Sequence, residues 1–420
     1  MKKESVFVKI CFCALISAAG LLLLPIGSFA QNDKPLDLSA LIVEAYQANP
    51  EILSAKNSFE AANARISQAA SLSDPAIEFE YDKTIRNADG NPMKTIGVAQ
   101  EIPFPTKLYF RAKVAAKLAK AAYEDYQAKE LDVIARIKSA YAELALTEKM
   151  IEINKQDKEL GGGFYKTATS RYASGKGTQA DALKAQVEIA RVDNELIMLE
   201  QKQIVARAKL NVLLGRDPQN DIKVTAPLPV KFTKPVGDFY ALARKNNPEL
   251  KAYSYALERG QAAYDLSLNE YLPDFMVKFK QEVAKGRSVS GSWAGMIGVT
   301  VPFWFFEKQA FGVKEMKADL NTLKAEYKGK ENSVLFDVTE SYARADADKK
   351  LIELYESAFI PQAESVFNAQ IKGYETQASD FLSVVDSWRM LLSFKIDYYK
   401  AILDFRMALA DLERAAGEGI

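Results

Sequence analysis

Apolar and polar residues alternate with two different periods along this chain, and the sequence of periods occurs twice. In Ala76-Ile77-Glu78-Phe79-Glu80-Tyr81-Asp82, the apolar Ile77, Phe79 and Tyr81 interleave with Glu78, Glu80 and Asp82. Period two predicts a strand with one apolar and one polar face. Phe275, Val277 and Phe279 set against Lys278 and Lys280 predict the same in the second half. Returning strands are predicted at about 94–102 and 293–302, each roughly nine to eleven residues, the length of a membrane-spanning strand. A sheet in water, packed on one face, is the alternative. The period then changes to 3/4 spacing. Ile134, Ile137, Tyr141, Leu144 and Ile151 mark one helix; Leu183, Val187, Ala190, Ile197, Ile204 and Ala208 mark its return, with Asn194 and Gln201 in two seam slots. This coiled-coil spacing predicts helices from about Lys107 to Ser174 and from about Lys308 to Thr376, each on the order of 100 Å long.

The repetition is explicit. "ANPEIL" at 48–53 returns as "NNPELK" at 246–251, "IGVAQEIPF" at 96–104 as "IGVTVPFWF" at 297–305, and "RYASGKGTQADALKA" at 171–185 aligns with "GYETQASDFLSVVDS" at 373–387. The offsets of 198, 201 and 202 residues are nearly constant, which predicts a duplicated half-molecule. The first repeat spans 31–236: a helix pair broken at Asn49-Pro50, strands at about 75–102, a long hairpin at about 107–214 and a linker at 215–236. The second spans 237–420: a pair broken at Asn247-Pro248, strands at about 273–302 and a hairpin at about 308–417. Proline drives the preceding residue out of the helical region, hence both breaks. Gly161-Gly162-Gly163 is the one interruption predicted within the first long helix, and its counterpart follows Pro361. A bend or hinge is expected at both.

Composition narrows the chemistry. The 420 residues carry 55 basic and 55 acidic side chains and no His, so nothing points to nucleic acid. Lys2, Lys3 and Lys9, an apolar run from Ile10 to Gly27 and Ser28-Phe29-Ala30 read as a signal peptide over 1–30, with a membrane anchor as the alternative. Cys11 and Cys13, the only cysteines, leave with it. The exported chain then offers no thiol, imidazole, disulfide or Cys/His metal site; no cofactor is expected. No later segment is apolar for the ~18 residues that a membrane helix needs.

Gly175-Lys176-Gly177-Thr178 resembles a phosphate-binding loop. The first glycine of that motif would fall at Ser170, the segment follows a helix instead of a strand, and the repeat partner reads Gln377-Ala378-Ser379-Asp380. A nucleotide-binding enzyme is thus a remote alternative. The favoured reading is a helix–turn–helix tip, with Gly175 and Gly177 ending one helix and Thr178 or Asp181 opening the next. Ser379 or Asp380 does this in the second half.

Taken together, the two Asn-Pro-Glu openings, "GVAQEIPFPTK" at 97–107, "IGVTVPFWFFEK" at 297–308, "LLGRDP" at 213–218, both tips and "DLERAAG" at 411–417 resemble the outer-membrane efflux (TolC-type) family across 38–418. The first strand exit is similar to that of the heavy-metal (cobalt-zinc-cadmium, CzcC-like) branch, with Thr106-Lys107-Leu108 in place of Gly-Lys-Arg. The resemblance implies a mainly α fold with a membrane β-barrel: a homotrimer with four strands per chain in a shared 12-stranded barrel, and long helical hairpins forming a coiled-coil tunnel. Four strands cannot close a barrel alone, and lipid does not tolerate open edges. The implied function is the exit duct of a tripartite efflux or type I secretion system, with a periplasmic adaptor, an inner-membrane pump and outer-membrane lipid as partners. The implied docking tip comprises Arg171, Gly175, Lys176, Gly177, Thr178, Tyr374, Gln377, Ala378 and Ser379. An acidic constriction is implied at Asp386, with Ser383 at the neighbouring acidic position and Asp380 one turn away. Trp293, Phe303, Trp304, Phe305 and Phe306 are read as an aromatic girdle. The alternative is a periplasmic coiled-coil protein without a pore.

Overall fold

The computed structural model describes residues 37–86, 92–225, 232–282 and 293–418. The expected signal peptide over 1–30, and part of the linker, lie outside them. Each half begins with a helix pair: α1 (Leu38–Ala48) and α2 (Pro50–Ala70), then α5 (Val236–Asn246) and α6 (Pro248–Asn269). At the first break the buried Asn49 accepts from the backbone N of Glu51 and Ile52 at 2.9 and 3.1 Å, and its Nδ2 donates to Leu213 O at 2.7 Å. Asn247 repeats the device, accepting from Leu250 N at 2.9 Å and donating to Ala415 O at 2.9 Å. Proline at N1 lacks the donor that a helix start would leave orphaned anyway. The helices that return to these breaks are α4 (Gln179–Leu213) and α9 (Phe381–Ala416). They lead into left-handed glycines, Gly215 (φ +71°) and Gly417 (φ +77°), where an added Cβ would strike the backbone of the break at 2.7 and 2.6 Å. Only glycine fits a positive φ at such close approach.

Four strands follow the predicted spans: β1 (Ala76–Arg86), β2 (Pro92–Ile102), β3 (Asp274–Glu282) and β4 (Trp293–Thr300). They pair antiparallel in the order β1-β2-β3-β4, so β2 and β3 join the halves and β1 and β4 are edges. Burial across the sheet is the inverse of a sheet in water. Ile77 (80 % exposed), Phe79, Ile96, Val98, Phe279 and Ile297 are exposed, while Thr95 and Gly97 on the other face are buried.

The first long helix, α3 (Pro105–Ala173), is continuous for 69 residues, about 100 Å. The expected interruption at Gly161–Gly163 is therefore corrected: the helix runs through it. The second arm is the one that departs from regular α geometry, without a gap. A π-helical turn at Phe305–Gln309 leads into α7 (Ala310–Leu354), and a second at Tyr355–Phe359 precedes α8 (Ile360–Glu375). Pro361 has no N–H to offer Ser357, and the wider turn takes up the mismatch.

The packing seam on α4 is also corrected. Leu183, Val187, Ala190, Ile197 and Ile204 are exposed, and α4 buries Ala185, Val192, Leu196, Leu199, Ala206 and Leu210 instead. Both rows obey 3/4 spacing, so periodicity alone does not say which one faces α3. Where it is described, the linker packs on the helices: Ile222 and Phe232 are buried, and Thr225 N donates to Tyr141 Oη at 3.0 Å.

Candidate functional site

Three levels along the long axis carry the candidate residues. At the strand–helix junction, Lys107 is 2 % exposed on the first turn of α3. It pairs with Asp274 at 2.9 Å and Glu270 at 3.5 Å, and Asp274 also accepts from Phe104 N at 2.9 Å. The unusual Thr106-Lys107 step thus ties the exit of β2 to the entry of β3. Trp293 opens β4 and stacks on Phe279, centroids 5.9 Å apart. Phe303, Trp304, Phe305 and Phe306 stand past the other end of β4. All five are exposed, as are Tyr109 and Phe311 on the first turns of α3 and α7, which the sequence reading missed. Aromatic type directly after a strand exit was the available signal.

At the far end are two turns. Gly175 (φ +72°) ends α3, with Lys176 N donating to Arg171 O at 2.8 Å. Thr178 and Asp181 form a reciprocal capping box at 3.2 and 3.3 Å. In the second turn the left-handed position falls on Gln377 (φ +65°), Ala378 N donates to Gly373 O at 2.7 Å, and Asp380 caps α9 by accepting from Ser383 N at 2.8 Å. Hydrogen bonding from Ser383, its hydroxyl first and then its backbone N–H, holds the Asp380 carboxyl below its usual range. Ser379 packs over Gly373, where a Cβ would meet its hydroxyl at 2.4 Å. Arg171 joins the tips: its guanidinium lies over the Tyr374 ring, 4.3 Å from the centroid, and donates to Tyr374 O. Tyr374 is buried against Phe381. Lys176, Gly175, Thr178, Gln377 and Ala378 remain exposed on two separate turns.

One level above the tips, α3, α4, α8 and α9 share a core of Ala168, Val192, Phe367, Val384 and Trp388. Gly161 is the socket for Trp388: an added Cβ would lie 2.7 Å from Trp388 Cη2, while Gly162 and Gly163 face open space. Trp388 Nε1 points at Asp157 Oδ1 from 3.5 Å, and burial pushes the Asp157 carboxyl up. Arg389 makes a two-pronged pair with Glu188 of α4, Nε to Oε2 at 2.8 Å and Nη2 to Oε1. Those bonds hold Glu188, itself 6 % exposed, below the usual carboxylate range. Asp386 is exposed and sits 3.5 Å from Arg389. The Glu188–Arg389 tie was not read from the sequence, because its partners are 201 residues apart and neither belongs to a motif. Among the described residues there is no group of three His, Cys, Asp or Glu side chains placed to hold a metal ion.

The profile of a family described as outer membrane efflux protein matches residues 41–216 and 239–418. The cobalt-zinc-cadmium resistance protein CzcC of Cupriavidus metallidurans is 21 % identical over 387 residues, covering 91 % of this chain and 90 % of that protein. The outer membrane protein TolC of Vibrio cholerae is 21 % identical over 399 residues, with 91 % and 90 % covered. The solved structure of CusC, described as forming a transmembrane channel, superposes with a TM-score of 0.81 at 14 % identity, over 91 % of this chain and 92 % of that one.

Proposed function

The chain belongs to the outer membrane efflux protein family, and we propose that three copies form one exit duct from the periplasm to the exterior. The carrying observation is the inverted sheet. An apolar face left open and a polar face turned inward suit lipid outside and water inside. The free edges β1 and β4 need partners, and three copies of four strands make a closed ring of twelve. The exposed row Leu183, Val187, Ala190, Ile197 and Ile204 on α4 supplies a side-chain seam for a neighbouring copy in the same assembly.

The long helices then extend into the periplasm and present their tips to an adaptor, with Lys176, Thr178, Gln377 and Ala378 as the accessible contacts and Arg171 as the tie between turns. Asp386 faces the duct axis in this reading, and three copies there attract cations. The duct does no chemistry; an inner-membrane pump supplies energy and selects cargo. Similarity to a protein named for cobalt, zinc and cadmium resistance favours metal cations as cargo. With no His in the sequence and Cys only at 11 and 13, such ions meet no imidazole and, past the expected signal peptide, no thiolate ligand from this chain.

Outer-membrane fractions analysed with and without heating test the proposal. A trimer that persists in detergent and dissociates on boiling is expected. A monomer confined to the soluble periplasmic fraction would instead establish the coiled-coil reading without a pore.

A further inference from the structure

We propose that Lys278 and Lys280, tied across a neighbouring strand to Glu78 and Glu80, set the charge balance of the barrel lumen. The inference rests on the reading of the sheet as one third of a membrane barrel.

The ties join strands that are not neighbours. β1 pairs only with β2, and β2 with β3. Yet Lys278 Nζ on β3 reaches Glu78 Oε2 on β1, and Lys280 Nζ reaches Glu80 Oε2 at 2.6 Å. Neighbouring strands lie about 4.8 Å apart, so each lysine must cross about twice that distance over β2. The crossing is possible because β2 is small there. Glu78 is opposite Gly97 and Gly97 opposite Lys280; Ala99 is opposite Lys278. A Cβ on Gly97 would already stand 3.1 Å from Lys280 Cγ and 3.2 Å from Phe279 O. The lysines therefore lie flat along the wall, and their side chains are 17 % and 30 % exposed against 41 % and 57 % for their glutamates.

Two consequences follow for the duct. In each copy the two ties cancel pairwise, so Glu78 and Glu80 add no net charge to the lumen, while Asp82 and Glu282 line the same hollow as Glu80 and Lys280. The side chains are held against the wall, so they do not narrow the passage.

The test uses the full-length trimer in planar bilayers under a KCl gradient at about 0.1 M, where charges act over roughly 10 Å. Lys278→Gln with Lys280→Gln should shift the reversal potential toward that of K⁺. Glu78→Gln with Glu80→Gln should shift it toward that of Cl⁻. All four substitutions together should restore the wild-type value. Gly97→Leu, which lifts the lysines off the wall, should lower the open conductance. A conducting pore whose reversal potential is the same in every variant overturns the charge balance alone; failure of the wild-type trimer to conduct, or of the cysteine variants to label as below, sinks the barrel reading with it. A measurement that needs no current is thiol labelling in proteoliposomes. Lys278→Cys should react with a charged, water-soluble reagent and Ile77→Cys should not; the reverse pattern would place the ties on the lipid side and overturn the inference.

Discussion

Alanine at each glycine of 161–163 should give opposite results, because only one of the three is a packing glycine. Glycine in a helix interior costs about 1 kcal/mol relative to alanine. Gly162 and Gly163 face open space, so alanine there should recover most of that, about fivefold slower amide exchange per substitution. Gly161 has Trp388 Cη2 at 2.7 Å and Ile189 Cγ1 at 3.3 Å from the position of its missing Cβ. The indole has little room to retreat, being 3 % exposed and packed on Phe164 at 5.7 Å. Overpacking of this kind costs about 1–3 kcal/mol. Gly161→Ala should therefore be neutral to about 2 kcal/mol destabilising once the helix gain is subtracted. Hydrogen exchange of residues 158–168 in the detergent-solubilised protein reads all three. In a Trp388→Leu background the sign at Gly161 should reverse. If Gly161→Ala protects the helix as well as Gly162→Ala does in the wild-type background, Trp388 does not fill the place of the missing Cβ. If the Gly162, Gly163 double variant slows exchange and leaves transport unaltered, bending of α3 plays no part in function.

Arg389→Ala should cost about 3 kcal/mol, since it strands the nearly buried Glu188, whereas Glu188→Ala should cost only about 1 kcal/mol, because the half-exposed Arg389 can turn to water and Asp386; equal losses in denaturant unfolding would refute the asymmetry. The sign with pH follows from the lowered Glu188 carboxyl: its stabilisation is present above the unfolded pKa of about 4.3 and is lost as pH falls through the lower folded value, so the Glu188→Gln variant should show a weaker acid dependence. Gln377→Gly should stabilise the second tip by about 1 kcal/mol, because a left-handed non-glycine residue costs roughly 1–2 kcal/mol, read as slower exchange at 373–383; faster exchange would contradict it. Asp386→Ala should weaken block by divalent cations in channel recordings, and unchanged block would remove it from the constriction.

The period-two segments and the Asn-Pro breaks were legible because each is a local signal: alternation marks a strand, and proline fixes its own φ. The tip turns were legible for the same reason, Thr178 and Asp380 being ordinary helix caps in the positions expected. What the sequence did not reveal depends on partners distant in the chain. Leu183 and Leu196 belong to equally regular rows, and only the position of α3 decides which row is buried. Gly161 reads as a helix breaker until Trp388, 227 positions later, is seen to occupy its missing side chain. The lysine ties over Gly97 required the β2–β3 register, which joins the two repeats and is written in neither. The π turn before Pro361 marks the proline correctly but shows accommodation inside the helix instead of an end to it.

A sheet that is dry outside and charged within cannot wait long in water. Between export and membrane insertion, every copy displays Ile77, Phe79, Val98 and Ile297 together with two unpaired strand edges, the combination that nucleates aggregation. If three chains form the duct as proposed, its production is a race between their productive encounter and off-pathway clumping, and the outcome depends on how many are synthesised at once. Expression level, and not only the stability of the finished assembly, sets how much active protein a cell contains.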